Sequence, residues 1–352
     1  MQRAVLHDVR NLSLEEAPRP ACPEGGFLIR VEACAVCATD IKIANYGHHL
    51  LKPPRVLGHE IAGTIEEIGR QCKTDFVRGS RVAVCAVINC GECRYCRRAL
   101  PSMCERLRAF GYHYDGGFQE YMAVPAEAVR CGGVNPIPAS LSSAEASLAE
   151  LLACCLNGQR LSGLALGESL LILGAGPVGI LQAQLASARG VTAVYLADPV
   201  ESRLAAAEAI CGPALTRTFP CVEEEALREK VKQATDGYGV DQVMVCCSAP
   251  SAQRAALACV AKFGCVNLFG GLPQGDSQVV LDTNLIHYKQ CRITGTHGSS
   301  SADNCLALAL LAAGKVKGTP LITDRIHLTE LESVLLGGTR PGSLKKVVVY
   351  DA

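Results

Sequence analysis

The sequence has 352 residues, of which 49% are hydrophobic and 19% charged, a composition typical of globular proteins and long enough for two domains. Lysine and arginine together number 34, as do aspartate and glutamate, so net charge gives no reason to expect nucleic acid or an anionic membrane as partner. The first ten residues, MQRAVLHDVR, carry charges where a secretory signal is apolar, and no uninterrupted apolar run could span a bilayer, so we expect a cytoplasmic protein.

Cysteine is frequent, with 20 residues, and most of these lie inside apolar runs. Examples are VEACAV, LLACCLN and VMVCCSA, which begin at residues 31, 151 and 243. Disulfide scaffolds are usually short secreted chains, whereas a free cysteine behaves as a small buried hydrophobe. We therefore expect most of these cysteines to be reduced core residues, apart from a cluster that begins at residue 90.

The first part of the chain, to residue 155, consists of short β-branched runs separated by glycine and proline. Runs such as FLIRVEACAV and RVAVCAVI, which begin at residues 27 and 81, predict strands between turns. This part is therefore predicted to be rich in β-structure.

Two short motifs in this part contain residues that bind metals. CATD contains Cys37, Thr39 and Asp40, and GHE contains His59 and Glu60. A cysteine, a histidine and a carboxylate from distant parts of a chain can form a zinc site with one open coordination position. Each motif alone is a weak signal, but the two together, in a chain that also carries a cysteine cluster, predict a catalytic metal site.

The cysteine cluster has the spacing C-x2-C-x2-C-x7-C and consists of Cys90, Cys93, Cys96 and Cys104. Thiolates this close together can converge on one centre and suit Zn2+ or an iron–sulfur cluster, whereas adjacent disulfides would be strained. Four thiolates leave no open position and no base is nearby, so the spacing predicts a structural site.

A different pattern begins near residue 169, where apolar strands alternate with helices. SLLIL, TAVYLAD, DQVMVCCSA and CVNLFGG are the predicted strands, and alternation of this kind predicts a parallel, doubly wound sheet. After residue 294 the alternation ends, and SLKKVVVYD is a predicted closing strand.

The turn GAGPVG follows the first of these strands and opens a helix, which is the context that a dinucleotide-binding turn requires. Asp198 ends the next strand, where a carboxylate would accept from a ribose 2'-hydroxyl and repel a 2'-phosphate, so we expect NAD in preference to NADP. Because of Arg203, five residues further on, NADP remains an alternative cofactor. The candidate cofactor-binding residues are Gly174, Gly176, Pro177, Val178, Gly179, Asp198 and Arg203.

These motifs, with DGGFQEY between them, follow in the order found in zinc-dependent medium-chain dehydrogenases/reductases, and the chain resembles that family over nearly its whole length. It looks closest to the polyol and threonine dehydrogenase branch, which acts on sorbitol, galactitol phosphate or inositol derivatives. The resemblance implies an α/β protein with a GroES-like, β-rich catalytic domain (1–155 and 295–352) and a Rossmann NAD-binding domain (156–294). It also implies a homodimer or homotetramer.

The resemblance further implies hydride transfer between NAD(H) and a secondary alcohol of a polyol, cyclitol or sugar (phosphate). Thr39 is similar to the family's relay hydroxyl, and Glu60 and His49 are further candidates for catalysis. Two Zn2+ per chain are implied. Their ligands are Cys37, His59, Glu60 and Glu150 for the catalytic ion, and Cys90, Cys93, Cys96 and Cys104 for the structural ion.

Four alternatives stay open at this stage. A threonine dehydrogenase belongs to the same branch, and a simple alcohol dehydrogenase would need an apolar pocket, for which aromatic residues are few (5%, no tryptophan). A zinc-free reductase would lack Cys37, His59 and Glu60. A non-catalytic NAD- and zinc-binding redox sensor would require reactive thiols, whereas burial makes thiols inert.

Overall fold

The computed structural model describes residues 1–221, 223–273, 275–338, 340 and 342–350. The strands are β1 (Gln2–Asp8), β2 (Asn11–Glu16), β3 (Phe27–Ala35), β4 (Arg55–Val56), β5 (Glu60–Ile68), β6 (Arg81–Val84), β7 (Val87–Ile88), β8 (Arg108–Ala109), β9 (Tyr121–Val124), β10 (Val134–Pro136), β11 (Ser169–Leu173), β12 (Ala193–Ala197), β13 (Arg217–Phe219), β14 (Val240–Val245), β15 (Val260–Leu268), β16 (Arg292–Gly295), β17 (Ile322–Ile326) and β18 (Lys345–Val349).

The helices are α1 (Ala38–Tyr46), α2 (Arg94–Arg97), α3 (Ala126–Arg130), α4 (Ser143–Ser147), α5 (Ala149–Ser162), α6 (Pro177–Ala188), α7 (Glu201–Cys211), α8 (Glu224–Ala234), α9 (Pro250–Cys259), α10 (Thr283–Lys289), α11 (Ser301–Ala312) and α12 (Leu331–Leu336). Short 3-10 turns cover Pro101–Met103, Gly212–Ala214, Thr319–Leu321 and Leu328–Glu330. Across the described residues, no helix has both the length and the apolar character that crossing a membrane requires.

The chain forms two compact units. The first consists of Met1–Ala153, Gly298–Gly314 and Gly318–Ala352, and the second of Cys154–His297 and Lys315–Lys317. The first boundary lies inside α5, whereas the sequence placed the boundaries at residues 155 and 295.

The first unit is built on a sheet with the order β10-β6-β5-β3-β18-β17, to which β9 adds by pairing with β3. Its central strand β3 has neighbours on both edges and is buried along most of its length. Its apolar residues are buried, whereas Arg30 and Glu32, on either side of Val31, are half-buried. Phe27 of β3 is fully buried in the core, as are Phe110, Phe118 and Met122.

The strand register brings the end of β3 and the starts of β5 and β18 to the same side of this sheet. β3 pairs antiparallel with β5, and its last residue, Ala35, lies opposite Glu60, the first residue of β5. On the other side, β18 also pairs antiparallel with β3, with Val347 opposite Ala35. The residues just after β3, just before β5 and at the start of β18 therefore lie close together.

The second unit contains a six-stranded sheet with the order β13-β12-β11-β14-β15-β16. All neighbouring strands are parallel. The strand order reverses beside β11, the point at which doubly wound sheets bind ligands beyond the carboxyl ends of their strands. The predicted α/β class, with a β-rich first part followed by a parallel, doubly wound sheet, is confirmed.

Candidate active site and metal centres

Three side chains from separate parts of the first unit meet as a candidate metal site. One potential ligand atom from each of Cys37, His59 and Glu60 lies within 4.8 Å of the other two. His59 and Glu60 are buried and Cys37 is half-buried. A thiolate, an imidazole and a carboxylate suit Zn2+ and leave room for a further ligand. The structure thus brings together the residues that the motifs CATD and GHE contributed.

Local backbone geometry places these three residues. Cys37 precedes α1 as its N-cap, two residues after the end of β3, and His59 comes directly before β5. Gly58 has a φ of +92°, and a Cβ there would lie 2.7 Å from the sulfur of Cys34. Only glycine therefore fits at the turn that presents His59.

Asp40 connects two of the candidate ligands. Its Oδ2 accepts a hydrogen bond of 2.9 Å from the backbone N–H of Cys37, and its Oδ1 lies 3.2 Å from Nδ1 of His59. Burial acts to lower the pKa of His59, but the charge of Asp40 outweighs burial and holds that pKa well above its ordinary value. A carboxylate at Nδ1 keeps the proton on that nitrogen and leaves Nε2 as the metal-binding atom.

Glu60 also takes part in a buried ion pair. Nζ of Lys345 lies 2.7 Å from Oε1 of Glu60, and the two side chains are 4% and 0% exposed. Burial acts to lower the pKa of Lys345, but the charge of Glu60 raises it overall. Oε2 of Glu60 is buried and has no hydrogen-bond partner within the described part of the chain. A buried oxygen without a donor is satisfied by a cation, so the donor set fits a metal ion.

Glu150, the fourth predicted ligand, lies in the first turn of α5 and is buried. It is not part of the described set of ligand atoms that lie within 4.8 Å of one another. Burial raises the pKa of Glu60, Lys345 opposes this rise, and the charge of Glu150 adds to it. Glu150 is thus near enough to act electrostatically on Glu60, but it lies outside the tight cluster.

Aromatic rings extend from the cluster of Cys37, His59 and Glu60 towards the surface. The ring of Tyr112 lies 6.3 Å from that of His59 and 5.2 Å, edge-on, from that of His48. His49, the predicted catalytic histidine, is exposed and stacks on His48 at 4.5 Å. Burial raises the pKa of Tyr112 to about 12, so the phenol keeps its proton at neutral pH. Thr39 is half-buried in the first turn of α1.

The four clustered cysteines form a second candidate metal site. Their sulfur atoms all lie within 4.8 Å of one another. The Cys93–Cys96 pair is 3.5 Å apart, and Cys90–Cys96 and Cys93–Cys104 are each 3.9 Å apart. Four thiolates arranged tetrahedrally around Zn2+ would have sulfur atoms about 3.8 Å apart. The spacing of these sulfurs therefore fits one zinc ion.

Backbone N–H groups point at these sulfurs. The N–H of Cys93 donates to Cys90, and those of Cys90 and Arg106 donate to Cys104, each at 3.4 Å. Backbone N–H groups, first that of Glu92, lower the pKa of Cys90 to about 6, whereas burial raises that of Cys104 to about 12. The loop thus stabilises negative charge on sulfur at one side of the site even before a metal neutralises it.

The glycine turn of the second unit has the shape of a dinucleotide cradle. Gly174 has a φ of +112°, and a Cβ on Gly179 would lie 1.9 Å from the carbonyl oxygen of Gly174. Gly176 is the N-cap of α6, and a Cβ there would meet nothing within 4 Å. Pro177 and Val178 open this 12-residue helix. The open space at the helix N-terminus fits a pyrophosphate, so these residues suit a dinucleotide.

Asp198 follows β12 and is 3% exposed. Its Oδ2 accepts from the N–H of Ala175 and its Oδ1 from that of Val200, both at 2.9 Å. Nη1 of Arg203 lies 3.9 Å from Oδ2, with the Arg203 side chain 52% exposed. These hydrogen bonds fix Asp198 against the glycine turn, and a carboxylate retains further acceptor sites for a ribose hydroxyl.

Sequence reasoning did not identify Lys345 or Tyr112. Lys345 follows Glu60 by 285 residues, and only the pairing of β18 with β3 brings the two together. The sequence offers no local signal for this contact. Tyr112 stands in the GYHYDGG stretch, where the turn between Phe110 and Tyr114 brings it near His59.

Two family models match the chain. The model described as alcohol dehydrogenase GroES-like domain matches residues 23–132, and the model described as zinc-binding dehydrogenase matches residues 177–313. The first match covers both candidate metal sites apart from Glu150 and Lys345. The second begins inside the glycine turn.

Relatives and a solved structure agree with these matches. L-threonine 3-dehydrogenase of Pyrococcus horikoshii is 34% identical over 338 residues, 95% of this chain and 92% of that protein. D-altritol 5-dehydrogenase of Agrobacterium fabrum is 33% identical, covering 90% of each chain. The crystal structure of a zinc-binding dehydrogenase from Sinorhizobium meliloti bound to NADP superposes with a TM-score of 0.91 at 30% identity and 99% coverage of both chains.

Fold, motifs and relatives thus define an oxidoreductase of the zinc-type alcohol dehydrogenase class. The chain belongs to the zinc-dependent medium-chain dehydrogenase/reductase family, in its polyol and threonine dehydrogenase branch. The resemblance inferred from the sequence motifs is therefore confirmed.

Proposed function

We propose that this chain is a zinc-dependent, NAD(H)-linked dehydrogenase that interconverts a secondary alcohol of a polyol, cyclitol or sugar (phosphate) and its ketone. The observation that carries the proposal is the meeting of Cys37, His59 and Glu60 within 4.8 Å in a chain of this family. Two Zn2+ per chain are proposed. Cys37, His59 and Glu60, with Glu150 as an additional or alternative ligand, would hold the catalytic ion, and the four clustered cysteines the structural ion.

The protein's own residues prepare the reaction. When bound, zinc supplies Lewis acidity that lowers the pKa of a hydroxyl group, and the nicotinamide accepts a hydride. Asp40 fixes the tautomer and orientation of His59. The hydroxyl of Thr39, two residues beyond Cys37, would accept the proton of the substrate hydroxyl and pass it on. Glu60 would tune the charge of the site.

Histidines at the surface complete the proposed proton path. His49 is exposed, which suits the release of a proton to water better than contact with the substrate. His48 lies between His49 and Tyr112 in the stack of rings. Nδ1 of His48 accepts from the backbone N–H of Leu50 at 3.2 Å, which leaves Nε2 as the protonated nitrogen of the neutral ring.

NAD is the proposed cofactor. The glycine turn would place the pyrophosphate at the N-terminus of α6, and the carboxylate of Asp198 would accept from the adenine ribose and repel a 2'-phosphate. The Sinorhizobium meliloti protein was solved with NADP, and Arg203 lies beside Asp198 here. Measuring kcat/KM with NAD and NADP, in the parent chain and in Asp198→Asn, decides between them: the variant should lose much of the preference for NAD.

A hydroxyl-rich substrate is favoured over a simple alcohol. The relatives named L-threonine 3-dehydrogenase and D-altritol 5-dehydrogenase cover nearly the whole chain. Aromatic residues make up only 5% of the sequence, which leaves little apolar surface to line a pocket for simple alcohols. L-Threonine is the second candidate substrate, because relatives of that name match at up to 34% identity.

The deciding experiment combines metal analysis of freshly purified protein with an NADH absorbance assay on polyols, cyclitols, sugar phosphates, L-threonine and simple alcohols. About two zinc ions per chain and turnover of one hydroxylated class support the proposal. One zinc ion and no turnover on any substrate would refute it and favour a non-catalytic NAD-binding protein. Turnover of L-threonine alone would favour the second candidate.

The proposal also includes a homodimer or homotetramer located in the cytoplasm. Light scattering on the purified protein tests the first part, because a mass equal to a single chain of 37.1 kDa would contradict it. Fractionation of the source cells tests the second part.

A further inference from the structure

The ion pair between Lys345 and Glu60 is almost completely withdrawn from water. Nζ and Oε1 are 2.7 Å apart, and the side chains are 4% and 0% exposed. Removing two charges from water is costly, and the attraction between them often does no more than balance that cost. Stability alone is therefore a weak reason for a buried lysine at this position.

The position of Lys345 relates it to the candidate metal site. Lys345 begins β18, and the carbonyl oxygen of the next residue, Lys346, accepts from the N–H of Val36 at 2.9 Å. Val36 directly precedes Cys37, so the start of β18 is tied to the chain segment that provides the thiolate. The ammonium of Lys345 thus holds one candidate ligand, Glu60. The strand that carries this ammonium is hydrogen-bonded directly beside another candidate ligand, Cys37.

The two carboxylate oxygens of Glu60 have different surroundings. Oε1 accepts from Lys345, whereas Oε2 has no hydrogen-bond partner within the described residues. Without the ammonium, both oxygens would lack a donor in a buried site. A carboxylate in that state turns to the nearest cation, which would be the metal held by Cys37 and His59.

We propose that Lys345 is a positioning residue that holds Oε1 of Glu60 away from the metal, so that Glu60 would bind through Oε2 alone and leave open the coordination position that the substrate needs. The inference rests on the proposed function, because it requires a metal on Cys37 and His59. It assigns Lys345 no contact with substrate or cofactor.

The same strand offers a matched control. Lys346 is 7% exposed and its Nζ donates to Oγ of Ser343 at 2.6 Å. Successive side chains on a strand point to opposite faces, so Lys346 is a buried lysine of the same strand that does not contact Glu60. A change that affects Lys345 and Lys346 equally would report only the removal of a buried charge from β18.

The experiment uses the full-length chain loaded with Co2+, whose visible absorption reports the number and type of ligands. Lys345→Met, Lys345→Arg, Lys346→Met and the double variant Lys345→Met/Glu60→Gln are compared with the parent. Lys345→Met is expected to change the absorption and to slow the loss of Co2+ to a chelator about tenfold. Lys345→Arg and Lys346→Met should match the parent, and Glu60→Gln should abolish the change caused by Lys345→Met.

Equal spectra and release rates for Lys345→Met and Lys346→Met would overturn the proposal, as would faster release from Lys345→Met. If Lys345→Met does not fold, Lys345→Leu, which is neutral and offers no donor to Glu60, gives the same comparison. Cys37→Ser separates this result from failure of the proposed function. If Cys37→Ser does not alter the parent's cobalt spectrum, no metal binds at that site and the proposed function itself fails.

Discussion

The two candidate metal sites of the first unit are built in opposite ways. The cysteine cluster is local, because all four sulfurs come from a loop between residues 90 and 104 that includes α2. The other site is assembled by the sheet: β3, β5 and β18 bring Cys37, His59, Glu60 and Lys345 together, and the last two are 285 residues apart.

This difference predicts different responses to damage. Closing a local loop costs little entropy, so a bound metal and the backbone N–H donors would organise the cysteine cluster largely independently of the rest of the chain. The assembled site exists only if the strands are in register and if Asp40 and Lys345 orient the ligands. Substitutions in the cluster should therefore affect stability first, and substitutions in the assembled site should affect chemistry first.

The largest effect is expected from His59→Ala. Loss of this ligand should lower kcat/KM by about 10⁴-fold, or ~5.5 kcal/mol in transition-state stabilisation, because the metal would be lost or misplaced. NAD binding and the metal of the cysteine cluster should remain, as measured by NADH fluorescence and metal analysis. His113→Ala is the matched control, since His113 is a half-buried histidine of the same unit that accepts from the N–H of Ala109 at 3.2 Å. Undiminished turnover in His59→Ala would refute the ligand assignment.

Removing the structural ion is expected to come next. The double variant Cys93→Ser/Cys96→Ser should lose one zinc per chain and about 4 kcal/mol of unfolding free energy, because a bound metal stabilises only the folded state. Urea unfolding and metal analysis measure both effects. Cys72→Ser, at a half-buried cysteine outside the cluster, serves as the control. If the double variant keeps its full metal content and full stability, the cluster does not hold a metal.

The same contrast between local and assembled sites explains which features of the protein could be predicted from its sequence. The spacing of Cys90 to Cys104 and the GAGPVG turn are local patterns whose geometry follows from a few residues, and the fold class followed from alternating strands and helices. The motifs CATD and GHE contain the residues that the structure brings together, but their meeting depends on the pairing of β3 with β5. Lys345 could not be predicted, because strand register across 285 residues leaves no local trace.

Asp40→Asn tests how much the assembled site depends on orientation. Asp40 accepts from the N–H of Cys37 and faces Nδ1 of His59. In Asp40→Asn, the amide NH2 group would face one of these two N–H groups and could not accept a hydrogen bond from it. We expect turnover or zinc affinity to fall about 10- to 100-fold without loss of the cysteine-cluster metal. Asp115→Asn is the control. Asp115 also accepts from a backbone N–H, that of Val56 at 3.2 Å, but its charged partner is Arg55 and not a candidate metal ligand. Equal effects of the two variants would mean that Asp40 has only a structural role.

The smallest effect concerns the strands that carry the assembled site. Glu32 on β3 accepts from Thr64 on β5 at 2.6 Å and from Ser143 on α4 at 2.5 Å. Glu32→Gln should cost about 1 kcal/mol of unfolding free energy in urea titrations at pH 7, because the amide nitrogen cannot accept one of these bonds. It should also speed zinc loss from the assembled site but not from the cysteine cluster. Glu15→Gln, at a glutamate of β2 whose carboxylate pairs with Arg3 on β1, is the control.

The pH dependence of the Glu32→Gln effect identifies its cause. Burial acts to raise the pKa of Glu32, but the hydrogen bonds from Ser143 and Thr64 outweigh it and hold that pKa below its ordinary value of 4.5. A depressed pKa in the folded state contributes stability above that ordinary value, and the contribution disappears as the pH falls through the folded-state pKa. The difference between parent and variant should therefore shrink on acidification below pH 4.5. A difference that stays constant there would show that shape, rather than the charge of Glu32, holds β3 against β5.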